Sequence, residues 1–308
     1  MKVCVVGSGF VGQATGKGLA KHGHEVSFLD IDTRKLEQLR SDGFKADHPK
    51  DVERIESHIT TLTVPTPSHQ EAIDLGPLKR AVEQLGQRLR HHRDYHLVVV
   101  RSTVTPGTTH ELVIPILEEL SDKQAGRDFG VCMQPEFLRQ ATAQADFDRP
   151  WHILIGQLDA RSGDLLADVY QPFNAPIERA SIHEAEMQKY VHNLYNAAKI
   201  AFFNEMRLVC QREGWNDERI FGAVAQSCEG IWNPLYGLGD KGPFDGACLP
   251  KDTEAFLHWG KGRSHDLRVL EAVIEQNRAL ARLRAAAQRE LEASPDEKQY
   301  ERAVAQLS

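Results

Sequence analysis

An excess of basic residues is missing from this 308-residue chain: 37 lysines and arginines stand against 44 aspartates and glutamates, a net charge of −7. Nucleic acid is therefore not the expected partner, because binding along a phosphate backbone draws on surplus cations. Cysteine is sparse. The five residues (Cys4, Cys132, Cys210, Cys228, Cys248) are scattered, odd in number and form no C-x-x-C. That argues against a disulfide framework or a spaced zinc site and fits a reducing, cytoplasmic setting. No apolar run approaches the length of a membrane-spanning helix, so no membrane partner is expected. The apolar stretch after Lys2 is not a signal peptide, since polar residues return at once. Internal repeats and low-complexity tracts are also lacking. His91, His92 and His96 crowd one stretch, but a solvated helix end accounts for them, and no metal is expected.

What is present is a globular composition, 41% hydrophobic and 26% charged, long enough for two domains. The β-branched run Lys2–Val6 reads as a buried strand. Gly7-Ser8-Gly9-Phe10-Val11-Gly12 follows, a G-x-G-x-x-G that opens a helical stretch to about His22. A second strand, Glu25–Leu29, ends in Asp30, 18 positions after the last glycine. In that context the motif is the dinucleotide-binding fingerprint. Gly7, Gly9 and Gly12 let the backbone approach a pyrophosphate at the helix N-terminus, alongside Phe10 and Val11. Asp30 would accept from ribose hydroxyls and repel a 2′-phosphate, so NAD is the expected cofactor. Lys35 lies within reach of the adenosine end.

Further strands are expected at Ile59–Val64, Leu97–Val100, Phe129–Met133, Trp151–Gly156 and Pro176–Ala180, with helices at Asp74–Arg90 and from about Thr108 to Leu120. Residues 36–58 read as a helix and a loose connection. Ligands of open α/β sheets bind beyond the carboxyl ends of strands, and Thr66, Thr103 and Glu136 fall there. From about Ser181 strand signals cease. Glu184–Arg212 reads as one long helix carrying Lys189 and Asn193 on the same face, a pair able to bracket an oxyanion. Asp217–Ser227 and His265–Glu292 read as helices, and Ser294-Pro295-Asp296-Glu297 has the spacing that starts a last one. The fold class is α/β: a doubly wound Rossmann domain over residues 1–180, then an all-helical domain over 181–308. The long helix is expected to dimerise the chain.

Between the helices lies Gly242-Pro243-Phe244-Asp245-Gly246-Ala247-Cys248-Leu249-Pro250-Lys251-Asp252. A cation near a thiol favours the thiolate nucleophile, and a carboxylate can hold a water. A buried, inert cysteine is the competing reading.

The ordered series of motifs resembles the UDP-glucose/GDP-mannose dehydrogenase family from Met1 to about Leu283. Its markers are the glycine fingerprint with Asp30, Val64-Pro65-Thr66-Pro67, Ser102-Thr103-Val104 and Pro135-Glu136-Phe137-Leu138-Arg139. Ala185-Glu186-Met187 with Lys189, Tyr190 and Asn193, then Asn204-Glu205, and Cys248 with Pro250-Lys251-Asp252 complete it. The resemblance implies oxidation of a nucleotide sugar's primary alcohol to a carboxylate with two NAD molecules. It implies Cys248 as nucleophile, Lys189 and Asn193 as oxyanion stabilisers, Asp252 with a water as proton carrier, and Glu136 on the hydrolytic water. Thr66 and Thr103 would serve the cofactor, as would Lys251. The chain departs from the family in several places. The expected C-terminal nucleotide-gripping domain does not follow Glu292. Asp245 stands where glycine is usual, Trp232 where an arginine reaches the partner's substrate, and Gln140 replaces a glutamate. The segment between Leu39 and Ile59 is short. Three readings stand: a four-electron alcohol-to-acid dehydrogenase acting on a nucleotide sugar or a related alcohol, a two-electron alcohol or hydroxyacid dehydrogenase with Cys248 idle, and a non-catalytic NAD-binding dimer partner.

Overall fold

The β-branched runs build one sheet. The structure is a computed structural model that describes residues 1–69, 72–240 and 242–293. The strands are β1 (Lys2–Val6), β2 (Glu25–Leu29), β3 (Lys45–Asp47), β4 (Ile59–Leu62), the hairpin β5 (Ser68–His69) and β6 (Ala72–Ile73), β7 (His96–Val100), β8 (Phe129–Met133), β9 (Ile153–Gln157) and β10 (Ile177–Ser181). All but the hairpin form an eight-stranded sheet in the order β10-β9-β8-β7-β4-β1-β2-β3. The pairs are parallel except β8 with β9, so β9 and β10 run against the other six. The chain crosses the sheet from β3 back over β1 to β4, which makes the fold doubly wound.

Alternation along the strands explains why both faces are covered. In β7, Leu97 and Val99 join one hydrophobic cluster, with Val3, Val5 and Phe28. Val98 and Val100 join the opposite one, with Leu62, Val131 and Met133. Helices α1 (Phe10–Lys21), α2 (Thr33–Ser41), α3 (Gly76–Leu89), α4 (Ile114–Ser121), α5 (Ala143–Asp148) and α6 (Ala160–Tyr170) complete the layers. The expected helix start near Thr108 is a π-helical turn, Thr109–Val113, leading into α4. Strand β3 and helix α6 are among the elements the sequence pattern does not predict. Strand β3 has three residues and lacks an apolar run. Helix α6 is announced only by Asp159, whose carboxylate accepts from the Ser162 N–H at 2.9 Å. In the short segment before β4, the Arg88 side chain donates to the Val52 carbonyl at 2.8 Å and to the Pro49 carbonyl, pinning the loop.

His96 corrects the expectation of a solvated histidine cluster. It is fully buried in β7, with Nδ1 3.1 Å from the Ser57 carbonyl and Nε2 2.9 Å from the Thr60 hydroxyl. Burial, with the nearby His92 adding to it, pushes its pKa down to about 3. The unfolded chain therefore takes a proton first as pH falls, and the stability His96 contributes is full above about pH 6.5 and eroded below it. Between pH 7 and pH 5 the loss should be about 2 kcal/mol. Urea unfolding should show His96→Gln losing correspondingly less over that interval. An equal loss in both proteins would remove His96 as the cause.

The chain divides into two compact units, Met1–Asn193 and the residues from Leu194 on. Helix α7 (Ile182–Glu213) begins in the first and ends in the second. The second unit continues with α8 (Asp217–Ser227), α9 (Glu229–Trp232), α10 (Leu249–Lys261) and α11 (Arg268–Ala293). Its core gathers Val209, Leu267, Leu270 and Ile274, with Phe256, Leu257 and Trp259 packed against them. Glu205 is buried, and its carboxylate accepts from the N–H groups of Val269 (2.7 Å) and Leu270 (3.1 Å), capping the start of α11. Among the described residues no helix is long and apolar enough to cross a membrane. The helix start expected at Ser294 lies outside the described residues.

Candidate active site

The three glycines of the first loop do different things. Gly7 has φ +93°, and a Cβ there would sit 2.9 Å from the Thr63 carbonyl carbon. Gly12 is tighter still, since its Cβ would lie 1.9 Å from the Gly7 oxygen and 2.7 Å from the Thr63 hydroxyl. Thr63, which the sequence reading passed over, locks the loop by donating to the carbonyls of Val6 (3.0 Å) and Gly7 (2.5 Å). At Gly9 a Cβ would meet nothing within 4 Å. That open face lies at the N-terminus of α1, whose cap carries no side-chain hydrogen bond; Phe10 and Val11 form the first turn. Two glycines thus serve packing and the middle one leaves room for a pyrophosphate. Gly9→Ala has compatible backbone angles (φ −65°, ψ −173°). It should change stability by less than about 0.5 kcal/mol while weakening NAD binding at least about tenfold. Gly12→Ala should fail in both, as unfolding and titration with NAD would show.

Asp30, at the end of β2, is buried, and its Oδ2 accepts from the Ser8 N–H (2.5 Å) and hydroxyl (2.6 Å). Its Oδ1 accepts from the Asp32 N–H at 2.8 Å. Burial opposes ionisation, but these hydrogen bonds outweigh it and hold the pKa below the usual carboxylate value. An ionised acceptor beside a glycine loop fits NAD's ribose hydroxyls. Lys35 is half-exposed and sits 4.0 Å from Asp32.

Beyond β4 and β7 the structure brings Thr66 and Thr103 together: the Thr66 hydroxyl donates to the Thr103 carbonyl at 2.7 Å. The turn after Thr103 is held from α7, where the fully buried Glu186 accepts from the N–H groups of Gly107 (2.6 Å) and Thr109 (2.9 Å). Beyond β8 stands Glu136. Lys189 Nζ on α7 lies 3.0 Å from its Oε1 and also donates to its carbonyl. The Leu138 N–H donates to Oε2 at 2.5 Å. Both partners of this ion pair are nearly out of solvent, 6% exposed for the lysine side chain and 11% for the glutamate. Asn193, one turn further along α7, is exposed.

In the second unit Cys248 is exposed and is the N-cap of α10, a helix of 13 residues with Pro250 in its first turn. The glycines and prolines of this stretch give no sequence signal for a helix. Lys251 donates to Asp252 Oδ1 at 2.6 Å, and both are exposed. The loop before Cys248 is tied to α11, because the Asn277 amide accepts from the Phe244 N–H (2.7 Å) and donates to its carbonyl (3.0 Å). Arg284 pairs with Asp240 in the same loop. Cys228 is the other exposed cysteine, but it heads a helix of only 4 residues. Cys4 and Cys132 are held inert, their thiols pushed up to about 11 and about 12 by burial.

A glycine loop shaped for a pyrophosphate, an acidic strand end and a sheet doubly wound around them define a Rossmann-type dinucleotide-binding protein with a helical second unit. The family profile for the UDP-glucose/GDP-mannose dehydrogenase NAD-binding domain matches residues 1–50 and 43–174, and that for the family's central domain matches residues 183–279. The break in the first match falls at the short segment before β4. The GDP-mannose 6-dehydrogenase of Pseudomonas aeruginosa is 35% identical over 281 residues, 84% of this chain and 64% of its own length. The UDP-glucose 6-dehydrogenase of Haloferax volcanii is 32% identical over 90% of this chain and 69% of its own. A crystal structure of a ternary complex of the P. aeruginosa GDP-mannose dehydrogenase superposes with a TM-score of 0.85 at 32% identity, over 92% of this chain and 69% of that one. The chain belongs to the UDP-glucose/GDP-mannose dehydrogenase family, and residues 1–174 carry the family's NAD-binding domain. It spans about two thirds of the length of these relatives.

Proposed function

We propose that the chain oxidises the primary alcohol of a nucleotide sugar to a carboxylate, using two NAD molecules and a covalent intermediate on Cys248. The observation that carries this reading is the placement of Cys248: an exposed thiol at the head of a 13-residue helix, where negative charge is favoured, followed within one turn by Lys251 and Asp252. NAD, when bound, accepts one hydride in each oxidation. The chain's own residues do the rest. After the first oxidation, the Cys248 sulfur adds to the aldehyde carbon and makes a thiohemiacetal. Only then does that carbon again carry a hydride that can leave with an alkoxide behind it. Loss of that hydride gives a thioester, and water displaces the thiolate to release the acid. Lys189 and Asn193 stabilise the oxyanions of addition and hydrolysis. Asp252 moves protons through a water, and Glu136 orients the hydrolytic water. Thr66, Thr103 and Lys251 serve the cofactor.

The nucleotide-sugar assignment is supported by the relatives, whose names specify GDP-mannose and UDP-glucose. The test is the NADH yield from UDP-, GDP- and CDP-sugars and simple alcohols incubated with NAD. Two NADH per molecule of alcohol consumed agrees with the proposal. One would assign a two-electron dehydrogenase, and none across the panel a non-catalytic NAD-binding partner.

We also propose a homodimer through α7. Met187, Val191, Leu194, Tyr195, Ile200 and Leu208 on that helix are 50–62% exposed, an apolar content that a solvated helix does not need. Light scattering should return twice the chain mass, and a monomer would refute it.

A further inference from the structure

We propose that a cavity behind the Gln134–Leu138 segment is a binding site for a small oxyanion of phosphate-like chemistry, held by Arg101. Arg101 is the first residue after β7 and is 5% exposed. It lines a small cavity of about 40 Å³ together with Gln134, Glu136, Asp146, His152 and Tyr170. The guanidinium has no carboxylate partner among the described residues. Its Nη1 donates to the Gln134 side-chain oxygen at 2.8 Å, with the Gln134 carbonyl 3.5 Å away. Its Nε is buried with no hydrogen-bond partner, and Nη2 meets no acceptor among the described residues. The Phe147 ring covers one side of the group, 5.4 Å from Cζ to the centroid.

Burying a cation is costly unless it is paired, and a ring face compensates only in part. The cavity's own acids are not available for the task. Asp146 accepts from the Arg139 N–H (2.9 Å), Nε (3.1 Å) and Nη2 (2.6 Å) and from the Thr142 hydroxyl (2.9 Å). Glu136 is committed to Lys189 and the Leu138 N–H. The uncommitted cation on this cavity wall, among the described residues, is Arg101, and a guanidinium is the side chain best suited to an oxyanion. Inorganic phosphate is the simplest oxyanion of this chemistry, and occupancy would bear on Gln134 and Glu136, which line the same cavity.

The test uses the full chain. Its melting temperature is followed against inorganic phosphate, with sodium chloride holding the ionic strength constant. A saturable rise of about 3 °C or more is expected. The rise should be absent in Arg101→Gln and retained in Gly9→Ala, where the dinucleotide loop is altered instead. A guanosine monophosphate arm separates a free oxyanion from a nucleotide's phosphate. Should Arg101→Gln not fold, crystals of the unaltered protein grown without phosphate or sulfate and soaked in selenate decide the matter. An anomalous peak within hydrogen-bond distance of the Arg101 guanidinium is expected. No saturable shift, an equal shift in Arg101→Gln, a response to the nucleotide alone, or a soak with no peak at Arg101 would each overturn the proposal.

Discussion

Cys248→Ala is expected to hold the NADH yield at no more than one per alcohol and to lower acid formation at least about 10³-fold, the scale on which losing a covalent nucleophile acts. The fold should be untouched. Cys248 is exposed at the N-cap of α10, and its side chain makes no capping hydrogen bond, so unfolding should shift by less than about 0.5 kcal/mol. The chemistry dictates the split. The first oxidation removes a hydride already present on the alcohol carbon and needs no sulfur. The second has a hydride to remove only after a nucleophile has added to the aldehyde. Cys248→Ser keeps the size of the side chain but cannot form a thioester, and should behave like the alanine variant. Electrospray mass measurement of the unaltered protein, quenched during turnover, should find the acyl adduct on the peptide carrying Cys248. A yield of two NADH from Cys248→Ala would sink the covalent route.

Much of the first unit was legible because its signals are local. The fingerprint at Gly7–Gly12 and the acid at Asp30 depend on backbone geometry over a few residues, and the strands around them are unbroken apolar runs. Elements that depend on distant partners were not legible. Strand β3 exists because it pairs with β2, not because Lys45–Asp47 has strand character. The turn into α10 was obscured by glycines and prolines, although Pro250 suits the first turn of a helix. His96 looked like a surface histidine beside His91 and His92. Its burial follows from the register of β7 against β4, which no single segment discloses. The marker acids Glu186 and Glu205 could be recognised, but their work could not be read. Each accepts backbone N–H groups far away in sequence, Glu186 from Gly107 and Thr109 and Glu205 from the start of α11. Glu186 holds the turn after Thr103 and Glu205 the start of α11.

Lys189 should be more costly to remove than any surface charge. Lys189→Met leaves the Glu136 carboxylate only 11% exposed and supported by a single backbone N–H. Breaking a buried pair from one side costs about 3–5 kcal/mol, because the remaining charge keeps its desolvation penalty without its partner. Glu136→Gln should cost less, since the amide oxygen still accepts from Lys189 and the lysine retains its bond to the Glu136 carbonyl. The double variant Glu136→Gln, Lys189→Met should recover a good part of the loss, because neither charge is then stranded. A coupling of about 1–3 kcal/mol in this double-mutant cycle is the expected result, and additive effects would show that the two side chains do not act as a pair. Turnover should follow a different order. An ammonium that stabilises oxyanions contributes about 10²–10³-fold to the rate. Lys189→Met and the double variant should therefore both be slow, whatever stability the second change restores. A double variant that regained turnover along with stability would reduce Lys189 to a strut for the Glu136 segment. One that regained stability alone would place its ammonium among the groups that touch the reacting oxygen.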